Sequence, residues 1–103
     1  MAKWGFLTNH ALVLIHVARN PRSTLREIAN AVGITERAAL SILRAMEEDK
    51  IITRQKEGRR NKYWVDFREL LDYPLGGPYS TQELVEALQG IANELDTVQR
   101  QAS

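Results

Sequence analysis

The chain has 103 residues, 44% of them hydrophobic, and no cysteine, so the composition predicts one globular domain without a disulfide framework, thiolate zinc site or thiol redox switch. Its formal charge of +1 hides a division, because residues 1–66 hold twelve Lys/Arg against seven Asp/Glu, a net of +5, whereas residues 67–103 hold two against six, a net of −4. The apolar run Ala11–Ala18 is short, contains His16 and precedes Arg19, which predicts a cytoplasmic protein with neither a signal peptide nor a membrane span.

Leu7 to Arg19 reads as a first helix, with Leu7, Ala11, Leu14, Ile15 and Ala18 expected on its buried side. Asn20-Pro21 ends it, since proline disfavours helical geometry in the residue before it. The next helix opens at Thr24-Leu25-Arg26-Glu27, a capping box in which Thr24 and Glu27 satisfy each other's backbone donors. It places Leu25, Ile28, Ala29 and Val32 at i, i+3, i+4 and i+7, one apolar stripe with a free face behind it. Gly33 suits a tight turn, and Thr35 is a good N-cap for a third helix running to about Asp49. That helix repeats the stripe with Ala39, Ile42, Leu43 and Met46. Only Gly33, Ile34 and Thr35 separate the two helices, so they must cross sharply.

Ile51–Lys56 and Asn61–Asp66 follow as a strand pair closed by a tip containing Gly58. Alternation turns Ile52, Tyr63 and Val65 inward and Arg54, Lys56 and Trp64 outward or to the rim. Segment 54–62 carries five basic residues and Glu57, a net of +4 in nine residues. A lone charge run is often just a solvated hairpin. Beside a helix pair of this kind, the charge points instead to a polyanion touched at one place.

After Asp66 the character changes. Phe67–Leu71 has the pattern of a single helical turn, and Tyr73-Pro74-Leu75-Gly76-Gly77-Pro78 reads as a rigid connector. Ser80-Thr81-Gln82-Glu83 is a second capping box. It opens a helix with Leu84, Leu88, Ile91, Leu95 and Val98 at alternating four- and three-residue steps, a heptad seam of about two repeats. A helix of this length is marginal alone and must lie against something. A second copy of the chain is the expected cover, joined by Trp4, Phe6 and the first helix. Folding back onto its own domain is the alternative.

The expected fold is mainly α with a small β-hairpin (α+β), a winged helix-turn-helix with an extra C-terminal helix. Its parts are a DNA-binding domain over 1–66, a connector over 67–79 and the C-terminal helix over 80–103. On the third helix, the core residues leave Thr35, Arg37, Ala38, Leu40, Ser41 and Arg44 outside. Small Ala38 and Ser41 let a helix enter the major groove, Arg37 and Arg44 suit a guanine edge or a phosphate, and Leu40 suits a thymine methyl. Glu36 suits a cytosine amino group or a pairing with Arg37. In the wing, Arg59 and Arg60 would reach phosphates or a narrow minor groove, with Arg54, Lys56 and Lys62 behind them on backbone phosphates.

His10 and His16 lie six apart on one helix and make no metal pair, so neither is given a role. No nucleophile–base pair, phosphate loop or carboxylate constellation stands out, and no enzyme activity, cofactor or metal is expected. Outward Trp64 would favour a protein-binding module over DNA. An architectural binder without sequence preference is a third reading.

The run Leu25–Thr35, the run Met46–Ile52 and the run Gly58–Tyr63 together resemble the DNA-binding domain of MarR-type winged-helix transcriptional regulators, in particular small single-domain members ending in one further helix. The resemblance covers about residues 8–66. It implies a dimeric regulator of double-stranded DNA, with Thr35, Arg37, Ala38, Ser41 and Arg44 as recognition-helix contacts and Arg59 and Arg60 as wing contacts. Lys50 stands where many relatives have glycine, which leaves room for a different exit turn. Effector sensing is not carried over.

Overall fold

The structure, a computed structural model, describes residue 5 and residues 7–102, without the side chains at 76 and 98–102. Trp4, Phe6 and the Val98 side chain, named above for the dimer seam, therefore lie outside the described residues. The chain divides after Asp66 into two units.

The first unit carries α1 (Asn9–Arg19), α2 (Leu25–Val32), α3 (Glu36–Glu48), β1 (Ile52–Glu57) and β2 (Arg60–Val65). Each helix starts on a threonine. The hydroxyls of Thr8, Thr24 and Thr35 accept from the N–H of Ala11, Glu27 and Ala38, and at Thr24 the Glu27 side chain returns the bond to complete the capping box. Gly33 ends α2 at φ +82°, where a Cβ would be strained although nothing stands in its way.

The core is built from Val13, Val17, Ile28, Ala29, Ala39, Ile42, Leu43, Met46, Ile51, Ile52 and Tyr63. α1 does not bury the face expected of it. Val13 and Val17 are fully buried, whereas Ile15 and Ala18 are exposed. Every residue from 11 to 18 except His16 is apolar, so periodicity has no polar face to set against a core face. The packing of α2, α3 and β2 against α1 selects the valine side. His16 and Ser23 close the loop that follows. Ser23 Oγ donates to the Asn20 carbonyl at 2.9 Å, so His16 Nε2–H donates to Ser23 Oγ, also at 2.9 Å.

α3 leaves by a glycine-type turn built on lysine. Lys50 sits at φ +63°, Lys50 N–H donates to the Glu47 carbonyl and Ile51 N–H to the Met46 carbonyl. This is the Schellman pattern, so the exit turn keeps the form a glycine would give it.

β1 and β2 pair antiparallel from Ile52↔Val65 to Glu57↔Arg60, each strand shifted one residue from its expected start. Ile52 and Tyr63 are buried and Val65 half-buried on the inward side, but the two-residue period and the register Arg54↔Tyr63 put Arg54 and Lys56 on that same side, past the edge of the core, with Trp64 on the other. Positive φ at Gly58 but not at Arg59 matches a two-residue type II′ turn. Tyr63 N–H donates to the Pro21 carbonyl at 2.8 Å, tying the root of the wing to the α1–α2 loop.

The second unit holds α4 (Phe67–Asp72), β3 (Pro74–Gly76), β4 (Tyr79–Ser80) and α5 (Thr81–Ala102). The segment read as a connector thus contains a helical turn and a small antiparallel pair, with Gly77 at φ +57° supplying the reversal. Thr81 is buried and binds the Tyr73 carbonyl through both its N–H and its hydroxyl. Ser80 and Glu83 form the second capping box. Along α5, Leu88 and Ile91 remain 47% and 63% exposed. No described helix is long and apolar enough to cross a membrane.

Candidate nucleic-acid interface

α3 is amphipathic in the sense a groove requires. Ala39, Ile42, Leu43 and Met46 are buried, and Arg37, Ser41 and Arg44 follow one another at i, i+4 and i+7 on the opposite, exposed side. Ala38 and Leu40 are half-buried on the two flanks of that stripe. Thr35 is held as the cap by its bond from Ala38 N–H at 3.1 Å. The first N–H groups of the helix have no partner within it and suit an anion. Arg37 and Arg44 make no ion pair among the described residues. Glu36 turns toward Arg26 of α2, at 4.0 Å, rather than toward its neighbour Arg37.

The five basic residues of the wing do not share one environment. Arg54 lies 3.5 Å from Glu47 of α3. Arg60 Nη1 donates to Glu27 Oε1 at 3.1 Å and to the Arg22 carbonyl at 3.0 Å, turning back toward α2. Lys62 Nζ sits 4.8 Å above the centre of the Trp64 ring, so the 40%-exposed indole carries a cation on one face. Lys56 and Arg59 are exposed and have no ion pair among the described residues. Arg59, at the turn, is the most forward of the five.

Sequence reasoning missed the acidic side of this arrangement. Arg22 Nε donates to Glu57 Oε2 at 2.9 Å, and Glu27 serves both its helix cap and Arg60. Bonds from the Thr24 hydroxyl and backbone N–H, with the bond from Arg60 behind them, hold the Glu27 carboxyl below its ordinary 4.5. These partners stand 33 to 38 residues apart, and no local pattern marks them. No group of three or more metal-ligating side chains occurs among the described residues.

Residues 9–53 match a family model described as winged helix-turn-helix DNA-binding. No curated protein matches the chain. Among solved structures it is similar to MepR, a transcription regulator of the Staphylococcus aureus multidrug efflux pump MepA, with TM-score 0.51 and 22% identity over 92% of this chain and 62% of that one. The S. aureus MepR–DNA complex gives TM-score 0.56 at 20% identity over 91% and 70%, and MepR bound to ethidium bromide gives 0.52 at 20% over 98% and 68%. At these identities the likeness is one of fold, a winged helix-turn-helix, and the chain spans about three-fifths of the first of these proteins.

Proposed function

We propose that this winged helix-turn-helix protein is a MarR-type transcriptional regulator that binds duplex DNA in a sequence-specific manner as a homodimer. The observation that carries the reading is the exposed Arg37-Ser41-Arg44 stripe of α3, set directly opposite the buried core face and within the same unit as a basic wing. A helix with two arginines and a small central residue enters the major groove and reads base edges. Thr35, Ala38 and Leu40 border that contact, through the helix start, close approach and an apolar surface for a thymine methyl. Arg59 leads the wing toward the minor groove with Lys56 beside it, while Arg54, Arg60 and Lys62 add positive charge along the strands for phosphates. MepR, which shares the fold, has been solved with DNA. The concentration of net positive charge in residues 1–66 supports the same assignment.

The stripe Leu84, Leu88, Ile91 and Leu95 of α5 is our candidate dimer surface, with Val98 continuing its spacing. Two heads read a palindrome with additive energy, which one small head cannot. A protein-interaction role would rest on exposed Trp64, but the Lys62 ammonium over its ring makes that face a poor apolar anchor.

Selection from a random duplex library at two salt concentrations tests the reading. Enrichment of a palindrome with half-sites about ten base pairs apart is expected. Salt-sensitive binding without enrichment would replace it with an architectural role, and absence of binding would turn the weight to a protein partner.

A further inference from the structure

Glu57 and Arg60 flank the wing's turn and stand opposite each other in its register. Opposite charges at such positions ordinarily pair across the strands. Here each reaches sideways to the chain around the start of α2. Arg22 binds Glu57 at 2.9 Å, and Arg60 binds Glu27 at 3.1 Å and the Arg22 carbonyl at 3.0 Å. The four side chains alternate in sign and sum to zero charge. Arg22, Glu27 and Arg60 line a cleft of about 330 Å³ together with His16 and Ser23 of the closed α1–α2 loop.

The rest of the outer wing has little to hold it. Beyond Ile52 every residue of β1 is exposed, and the inward contacts of Ile52, Tyr63 and Val65 all sit at the root. Beyond Arg54↔Tyr63 the hairpin projects about 10 Å at 3.3 Å per residue, so a swing of about 10° moves its tip about 2 Å. Such a displacement exceeds what a hydrogen bond to a base tolerates.

We propose that Arg22, Glu27, Glu57 and Arg60 form a latch that fixes the wing's angle against the helix-turn-helix, and so act as positioning residues for sequence discrimination. The inference rests on the DNA-binding reading above. Binding at a preferred site requires α3 and Arg59 to reach their places together. Binding to random duplex requires only positive charge near phosphates. Opening the latch therefore weakens the first kind of binding and spares the second. Opening it by neutralising Glu27 and Glu57 also removes two carboxylates that offset Arg22 and Arg60, which strengthens contact with any duplex.

The test uses the full chain with Glu27→Gln and Glu57→Gln together. Glutamine at 27 still closes the capping box, so α2 is retained. Affinity is measured for the selected palindrome and for a scrambled duplex, and wing amide hydrogen exchange is followed without DNA. We expect the ratio of the two affinities to fall about threefold to tenfold, as loss of two exposed ion pairs allows. Scrambled-duplex binding should tighten and wing exchange quicken, while the helical circular dichroism of the folded chain persists. Arg22→Glu alone should also lower the ratio, and adding Glu57→Arg should restore it. An unchanged ratio would overturn the latch, as would failure of the charge swap to rescue. A wild-type chain that binds no duplex would instead refute the DNA reading. The exchange rates would then judge the latch alone: quickened exchange keeps it as a wing restraint, and unchanged exchange removes it.

Discussion

Glu47 of α3 and Arg54 of β1 approach to 3.5 Å, joining the helix that presents Arg37, Ser41 and Arg44 to the strand that leads out to the wing. Glu47 Oε1 is buried and accepts no hydrogen bond among the described residues, so the guanidinium is its compensating charge there. Arg54→Ala should lower stability by about 1 kcal/mol, a figure kept small because both side chains retain solvent access. Thermal denaturation of the variant measures it, and Arg54→Lys should recover part of the loss.

Lys50 occupies a left-handed conformation that disfavours any residue with a Cβ. Lys50→Gly should stabilise the chain by about 0.5–1 kcal/mol, the relief of that strain outweighing the greater freedom of glycine when unfolded. Gly33→Ala should do the reverse by about 1 kcal/mol. At φ +82° with open space around it, the cost there is conformational and not steric. Urea denaturation of the two variants should show midpoints displaced in opposite directions.

Glu27 predicts the acid limb of stability. Its carboxyl is lowered by the Thr24 bonds and by Arg60, so in the folded state it binds its proton less readily than in the unfolded chain. The contribution is complete above the ordinary value of 4.5 and disappears as pH falls through the lower folded value. Between those points wild-type stability should drop more steeply than that of Glu27→Gln, whose profile lacks this group. Denaturation midpoints measured across the acid range make the comparison.

Recognition-helix and wing substitutions should separate in their effects on DNA. Arg37→Ala should cost roughly 1–3 kcal/mol on the preferred site and little on random duplex, if its guanidinium makes a bidentate base contact. Arg59→Ala should weaken both and reduce the log–log salt slope by about one. Titrations on both duplexes at several salt concentrations distinguish the two, and identical behaviour would refute the division of roles.

Leu88, about half exposed on α5, lies at the centre of the proposed dimer seam. Leu88→Glu should convert a dimer at micromolar concentration into a monomer in sedimentation, while the helical circular dichroism of the chain persists. A wild-type monomer would remove the seam as an interface.

The helix starts could be read from the sequence because capping is local. Thr24 with Glu27, Thr35 with Ala38 and Ser80 with Glu83 are three residues apart, and backbone geometry alone brings them together. The core stripes of α2 and α3 were legible for the same reason, since polar residues mark their other faces. α1 lacked that contrast, and its buried valines became evident only once its neighbours were placed. The small pair between Pro74 and Ser80 was hidden by its shortness, two or three residues being too few to show alternation.

The candidate site divides along the same line. Which side chains α3 turns outward follows from its own periodicity, and the charge of the wing follows from composition. What those charges do is set by the fold. Arg54, Arg60 and Lys62 are engaged by Glu47, Glu27 and Trp64, whereas Lys56 and Arg59 point away without an ion pair among the described residues. Local hydrogen bonding and helical or strand period are short-range properties that a sequence carries in itself. Lys62 and Trp64 are neighbours on one strand and Glu47 and Arg54 face each other across the exit turn of α3, but Arg60 and Glu27 stand 33 residues apart, and the packed core alone sets their segments at bonding distance.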